Sequence, residues 1–138
     1  ARQRGRAGMR RQRAPTPPHT PPPVVNVWMG VRVGKARKAH GVTYPAMSGP
    51  DAFNCVVRGH LNTLENQPAA LTLLLLAALF KPCGSAMAGA VWVVGRVVYF
   101  LGYSSGRPAA RAKGAFNHFG QLAQMWIVVA GAVKLLRA

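Results

Sequence analysis

The chain has 138 residues, half of them hydrophobic, and its 18 lysines and arginines against 2 acids give a net charge of +16. That length holds a single domain, and such a charge first suggests nucleic acid. However, Arg2, Arg4, Arg6, Arg10, Arg11 and Arg13 crowd the first thirteen positions and most other basic residues flank apolar runs. Without stacking aromatics among them, this pattern speaks against a nucleic-acid surface on the folded part.

Residues 1–23 contain no acid, Leu, Ile, Val or aromatic residue and end in a proline cluster. Such a segment cannot bury a core and reads as a basic, Pro-rich disordered tail. Its arginines would suit an organellar transit peptide, but it lacks serine, which weakens that match. Helices begin at Val24. The run 24–33 is apolar apart from Asn26 and Arg32, and at 1.5 Å per residue it covers about 15 Å, half of a bilayer core. The first helix, over about 24–39, is therefore expected to be truncated and not to span alone.

Three longer helices are predicted at about 53–80, 84–104 and 114–136, each reaching the roughly 20 residues a span needs. The breakers between them are Lys81 to Gly84 and Gly106 to Pro108. Segments 84–103 and 114–136 carry only Arg96 and Lys134 as charges, which leaves no solvated face for a soluble bundle. The expected fold is all-α, an integral-membrane antiparallel four-helix bundle over residues 24–138. Ser85 with Gly89, and Ala86 with Ala90, place small residues four apart, a spacing that allows close helix approach in lipid; the Ala and Gly content of the chain explains it equally well.

Loop charge orients the bundle. Arg32, Lys35, Arg37 and Lys38 lie at the first connection and Arg107, Arg111 and Lys113 at the third, against Lys81 alone at the second. The first and third connections are therefore expected on the cytosolic side. A short first helix that does not span would keep the arginine-rich tail on that side as well.

The second helix carries a polar head on an apolar body, "RGHLNTLENQPAALTLLLLAALF". Asn54, Arg58, Asn62 and Glu65, spaced four, four and three apart, form one stripe. A charge at the centre of a membrane helix costs about 2.5–3.5 kcal/mol, so the stripe should lie at the interface or face a wet or protein-lined cleft. Pro68 is placed to kink the helix between its polar and apolar ends. Arg96, Tyr99 and Tyr103 form a second stripe, and Asn117, Gln121 and Gln124 a third. Taken singly, Arg96 and the third stripe read as structural, with Arg96 paired to a carboxylate in the bundle. Arginines, one carboxylate, amides and phenols suit a small zwitterion with several carboxylates, such as glutathione, and equally other amphipathic anions. The four histidines have no ligand spacing, which predicts no metal site, and His118 reads as an interfacial hydrogen bonder. Cys55 and Cys83 lie too far apart along a helix for a disulfide and read as inert.

The blocks "KARKAHGVTYP", "FNCVVRGHLNTLE" and "VGRVVYFLGY" resemble the membrane-associated proteins in eicosanoid and glutathione metabolism, the MAPEG family, and within it most closely the type 3 microsomal glutathione transferases. The resemblance covers roughly residues 26–136. It implies a homotrimer of four-helix bundles, in the endoplasmic reticulum or an organellar outer membrane, with glutathione as co-substrate bound between subunits near the cytosolic face. Arg58, His60, Asn62 and Glu65 match positions of its second helix that contact glutathione or are polar, and Tyr99 and Tyr103 match its third-helix tyrosines. Arg111 matches the basic residue associated with the thiol, and Arg37 and Lys38 the basic pair ending the first helix, one of which has a catalytic role in leukotriene-forming relatives. Asn66 stands where some relatives have a tyrosine, and the truncated first helix departs from the pattern.

The expected activity is that of a glutathione transferase or glutathione-dependent peroxidase acting on lipophilic electrophiles or lipid hydroperoxides, with leukotriene C4 synthase-like chemistry within its range. The alternative is a non-enzymatic lipid-binding or scaffolding member of the same family. Retention of Arg58, Asn62, Glu65 and both tyrosines favours the enzyme.

Overall fold

The computed structural model describes residues 22–137, so the basic tail expected over 1–23 lies outside the described residues except for its last two positions. Helix α1 spans Pro22–Ala39, α2 Asp51–Phe80, α3 Pro82–Ser104 and α4 Asn117–Leu136, with a 3-10 helix over Pro108–Gly114 before α4. No strand occurs among the described residues. The result is the expected antiparallel helical bundle: α2 packs on α3 and α4, α3 on α4, and α1 against α2 and α3.

Element boundaries differ from the sequence-based ones where proline was read as a breaker. Only Lys81 separates α2 from α3, and Pro82 is the first residue of α3. Proline fits there because its φ is already helical and its missing N–H would have had no partner. Pro68, expected to kink the helix, lies inside a continuous α2, so the polar and apolar ends belong to one helix. After α3 the chain reverses at Gly106 with φ 75°, a left-handed conformation that glycine adopts without strain. Pro108 then opens the 3-10 helix, and α4 begins three residues later than expected.

The core combines large side chains with small ones at the helix contacts. Met29, Phe53 and Phe100 are fully buried, and Trp28 meets Phe100 edge to face at 5.3 Å. A Cβ on Gly59 would lie 3.1 Å from the Phe100 ring, so the ring seats directly on the α2 backbone. Of the two small-residue pairs, Ser85 and Gly89 are buried at the helix interface, while Ala86 is half-buried and Ala90 exposed. Ser85 Oγ donates to the Leu74 carbonyl at 2.7 Å and Gln124 Nε2 donates to the Ser85 carbonyl at 3.4 Å. Asn117 Nδ2 donates to the Gly114 carbonyl at 2.7 Å. Gln124 thus ties α4 to α3 and Asn117 ties it to the preceding 3-10 helix, while Asn117 Oδ1 and Gln124 Oε1 are buried without a hydrogen-bond partner among the described residues.

Stretches Asp51–Phe80, Pro82–Ser104 and Pro108–Leu136 are long and apolar enough to cross a membrane. The 18-residue α1 is not among them. With three such stretches in antiparallel order, the α1–α2 and α3–α4 connections lie at one end of the bundle and Lys81 at the other.

Candidate functional site

The candidate residues gather at the end of the bundle that carries the two basic connections. Its centre is Arg96, only 2% exposed. Its Nη2 donates to the Asn62 backbone carbonyl at 2.5 Å and to the Asn62 side-chain oxygen at 3.0 Å. The carboxylate partner expected for Arg96 is replaced by this amide and carbonyl of α2. A charged donor to two oxygens is among the stronger hydrogen-bonding arrangements. Arg96 also lies 5.1 Å from the centre of the Tyr99 ring, and Tyr99 meets Tyr103 edge to face at 5.9 Å.

Arg111 completes the row from the 3-10 helix. Its Nη1 donates to Tyr103 Oη at 3.3 Å, and its guanidinium carbon stands 5.2 Å from that ring's centre. The backbone explains this placement. Gly102 passes so close to the Ala110 carbonyl that a Cβ would not fit, and Gly114 does the same against the Tyr99 amide and Gly95 carbonyl. The 3-10 turn is therefore pressed onto the last two turns of α3, which brings Arg111 beside Tyr103. Asn62, Arg96, Tyr99, Tyr103 and Arg111 form one connected polar row.

Arg58 and Glu65 are exposed on α2, on either side of half-buried Asn62. His60 is half-buried and turned instead toward α1, where a Cβ on Gly30 would lie 3.8 Å from its ring. Asn54, the first member of the predicted stripe, is occupied elsewhere: its oxygen accepts from the Gly49 amide at 2.9 Å and its nitrogen donates to the Gly49 carbonyl at 2.7 Å.

The two candidates on α1 do not join the row. Arg37 is 6% exposed and faces the α1–α2 connection. Its Nη1 donates to the Ala46 carbonyl at 2.7 Å and its Nη2 to Met47 Sδ at 3.3 Å. The Tyr44 ring stacks on it at 4.0 Å and the Phe53 ring lies at 5.4 Å. Gly41, at φ 64°, lets the Val42 amide return to the Arg37 carbonyl. Arg37 therefore organises the loop, while Lys38 is exposed at the helix end.

Arg96 is the member of the row that sequence reasoning assigned to structure alone; its place three residues before Tyr99 was the available signal. A contact with no such signal joins Asn26 to Gln67, bridging α1 and α2.

The fold and this row define a polytopic membrane bundle with a cationic, phenol-lined polar end. Comparison with known proteins narrows the class: the MAPEG family model matches residues 23–132, and the chain belongs to that family. It is 36% identical over 107 residues to an uncharacterized protein of Synechocystis, covering 77% of this chain and 76% of that one. It is 35% identical over 74 residues to microsomal glutathione S-transferase 2 of Mus musculus, covering 53% and 50% of the two chains. Against leukotriene C4 synthase of Cavia porcellus the identity is 33% over 82 residues, or 59% and 55%. The matches to these two named enzymes thus span about half of each enzyme's length. They support the family, whereas the narrower type 3 likeness gains no support from them.

Proposed function

We propose that this chain is a membrane-bound, glutathione-using enzyme. It would conjugate glutathione to lipophilic electrophiles, including leukotriene-forming epoxides, or reduce lipid hydroperoxides with it, in the endoplasmic reticulum membrane. The observation that carries the reading is the row from Asn62 through Arg96, Tyr99 and Tyr103 to Arg111. Relatives named glutathione S-transferase and leukotriene C4 synthase add to it.

In this reading Arg58 and Glu65 bind the carboxylates and the ammonium of glutathione, and the Asn62 amide is fixed by Arg96. The Arg111 guanidinium stands beside the thiol and favours its thiolate, because a nearby cation lowers a thiol pKa. Tyr103, already accepting from Arg111, directs its own O–H toward the sulfur. In conjugation to an epoxide the thiolate sulfur attacks a ring carbon, the C–S bond forms as the ring C–O bond breaks, and the released alkoxide oxygen takes up a proton. In peroxide reduction two glutathione thiols are oxidised to a disulfide while the hydroperoxide becomes an alcohol and water. Arg37 is held by the loop, so the thiol role falls to Arg111, with Lys38 nearer the solvent.

Glu65 favours an assembly of subunits, read here as a homotrimer. If Phe80 marks one edge of a hydrocarbon core of about 30 Å, the other edge falls near Leu61 and Glu65 lies about 6 Å inside. An exposed carboxylate at that depth calls for a polar groove shared with a neighbouring subunit.

The test is glutathione binding to the purified full chain with thiolate absorbance read by stopped flow. Arg111→Ala should lose most of the thiolate signal while binding weakens modestly, and Glu65→Ala should mainly weaken binding. Unchanged thiolate in the arginine variant refutes its role, and no binding at millimolar glutathione returns the chain to the scaffolding alternative.

A further inference from the structure

A second feature lies at the opposite end of the bundle. A cleft of about 400 Å³ opens between the last turns of α2 and α4, lined by Leu79, Phe80, Ile127 and Leu135, with Lys81 and Lys134 also in its wall. Gly131 leaves room for the Phe80 ring, which packs against its backbone. The first turn of α3 closes one side, since a Cβ on Gly84 would lie 3.3 Å from Ile127.

Among the described residues neither lysine pairs with an acid side chain. Asp51 and Glu65 are the only carboxylate side chains in the sequence, and Glu65 lies on α2 sixteen residues before Lys81, which follows that helix, about 24 Å away. Both lysines are exposed. A cationic rim over an apolar floor, between two stretches apolar enough to cross a membrane, is complementary to one kind of molecule. It fits a lipid whose head is anionic and whose tail is oily.

The geometry points to this cleft as a binding site for one anionic glycerophospholipid, with its phosphate between Lys81 and Lys134 and an acyl chain along Phe80 and Ile127. The site lies in the leaflet opposite the polar row and does not depend on the function proposed for that row.

Native mass spectrometry of the solubilised full chain, titrated with phosphatidylglycerol or with phosphatidylcholine of the same acyl chains, tests it. Each lysine beside an anionic headgroup is worth about fivefold in affinity, so phosphatidylglycerol should bind about twenty-five-fold more tightly. The preference should fall as salt rises. The double variant Lys81→Gln with Lys134→Gln should lose it, and the Lys→Arg pair should keep it. A thermal melt of each variant in phosphatidylcholine nanodiscs reports the fold separately. Equal binding of the two lipids, or a preference that survives the Gln pair, overturns the site. Full competition by millimolar inorganic phosphate overturns the lipid as occupant.

Discussion

Gly95→Ala tests whether backbone contact sets the position of α4. A methyl at this position would lie 2.6 Å from Asn117 Cβ and 2.8 Å from Asn117 Cα and N. Ordinary carbon contacts sit at about 3.5–4.0 Å, so α3 and α4 must part by about 1 Å. Main-chain atoms cannot rotate out of the way. Overpacking of this kind costs about 1–3 kcal/mol, and the better helix propensity of alanine returns up to about 1 kcal/mol. The variant should lose about 1–2 kcal/mol of stability. The shift falls where Asn117 holds the Gly114 carbonyl, so Arg111 should also move from Tyr103. Thermal unfolding in detergent reads the first effect and near-ultraviolet circular dichroism of the tyrosines the second. Gly34→Ala, with nothing within 4 Å, is the control and should melt no lower than the wild type. If Gly95→Ala unfolds at the wild-type temperature with an unchanged tyrosine spectrum, the backbone contact does not set α4.

Arg37→Ala should cost about 2–3 kcal/mol, because the Ala46 carbonyl loses a charged donor and Tyr44 its stacking partner. Proteolysis between residues 40 and 50 should quicken while the glutathione thiolate signal stays; the reverse pattern would give Arg37 the catalytic part. Arg96→Leu should destabilise the bundle by about 1.5–3 kcal/mol by leaving the two Asn62 oxygens without their charged donor, and glutathione affinity should drop with it. Arg96→Lys should recover part of both losses, and a variant that binds glutathione normally would separate Arg96 from the site. Exposed Cys83 should react with a membrane-impermeant maleimide in sealed vesicles from the face opposite to a cysteine placed at Arg107. Buried Cys55 should stay unlabelled until unfolding.

The helices and their membrane character could be read from the sequence because apolar runs of span length with so few charges have few other folds. The polar stripes could be read because residues three and four apart share a face. Their partners could not. Arg96 and Asn62 stand 34 residues apart, and nothing local tells an arginine that its acceptor is a backbone oxygen rather than a carboxylate. The hold of the Ala46 carbonyl on Arg37 depends on the path of the 40–50 loop, which no local pattern gives. Pro82 looked like a stop signal because proline ends one helix and begins another with equal ease. The direction is decided by which side still needs its N–H.

The glycine seats beneath the 3-10 turn bear on how such a molecule can diversify. Gly102 and Gly114 join that turn to α3 main chain to main chain, so the spacing between the Arg111 cation and the phenols does not depend on the residues lining the rest of the polar end. Those residues can change in size and oiliness from one descendant to another without resetting that spacing. What the polar end does and what the bilayer delivers to it are then free to evolve separately.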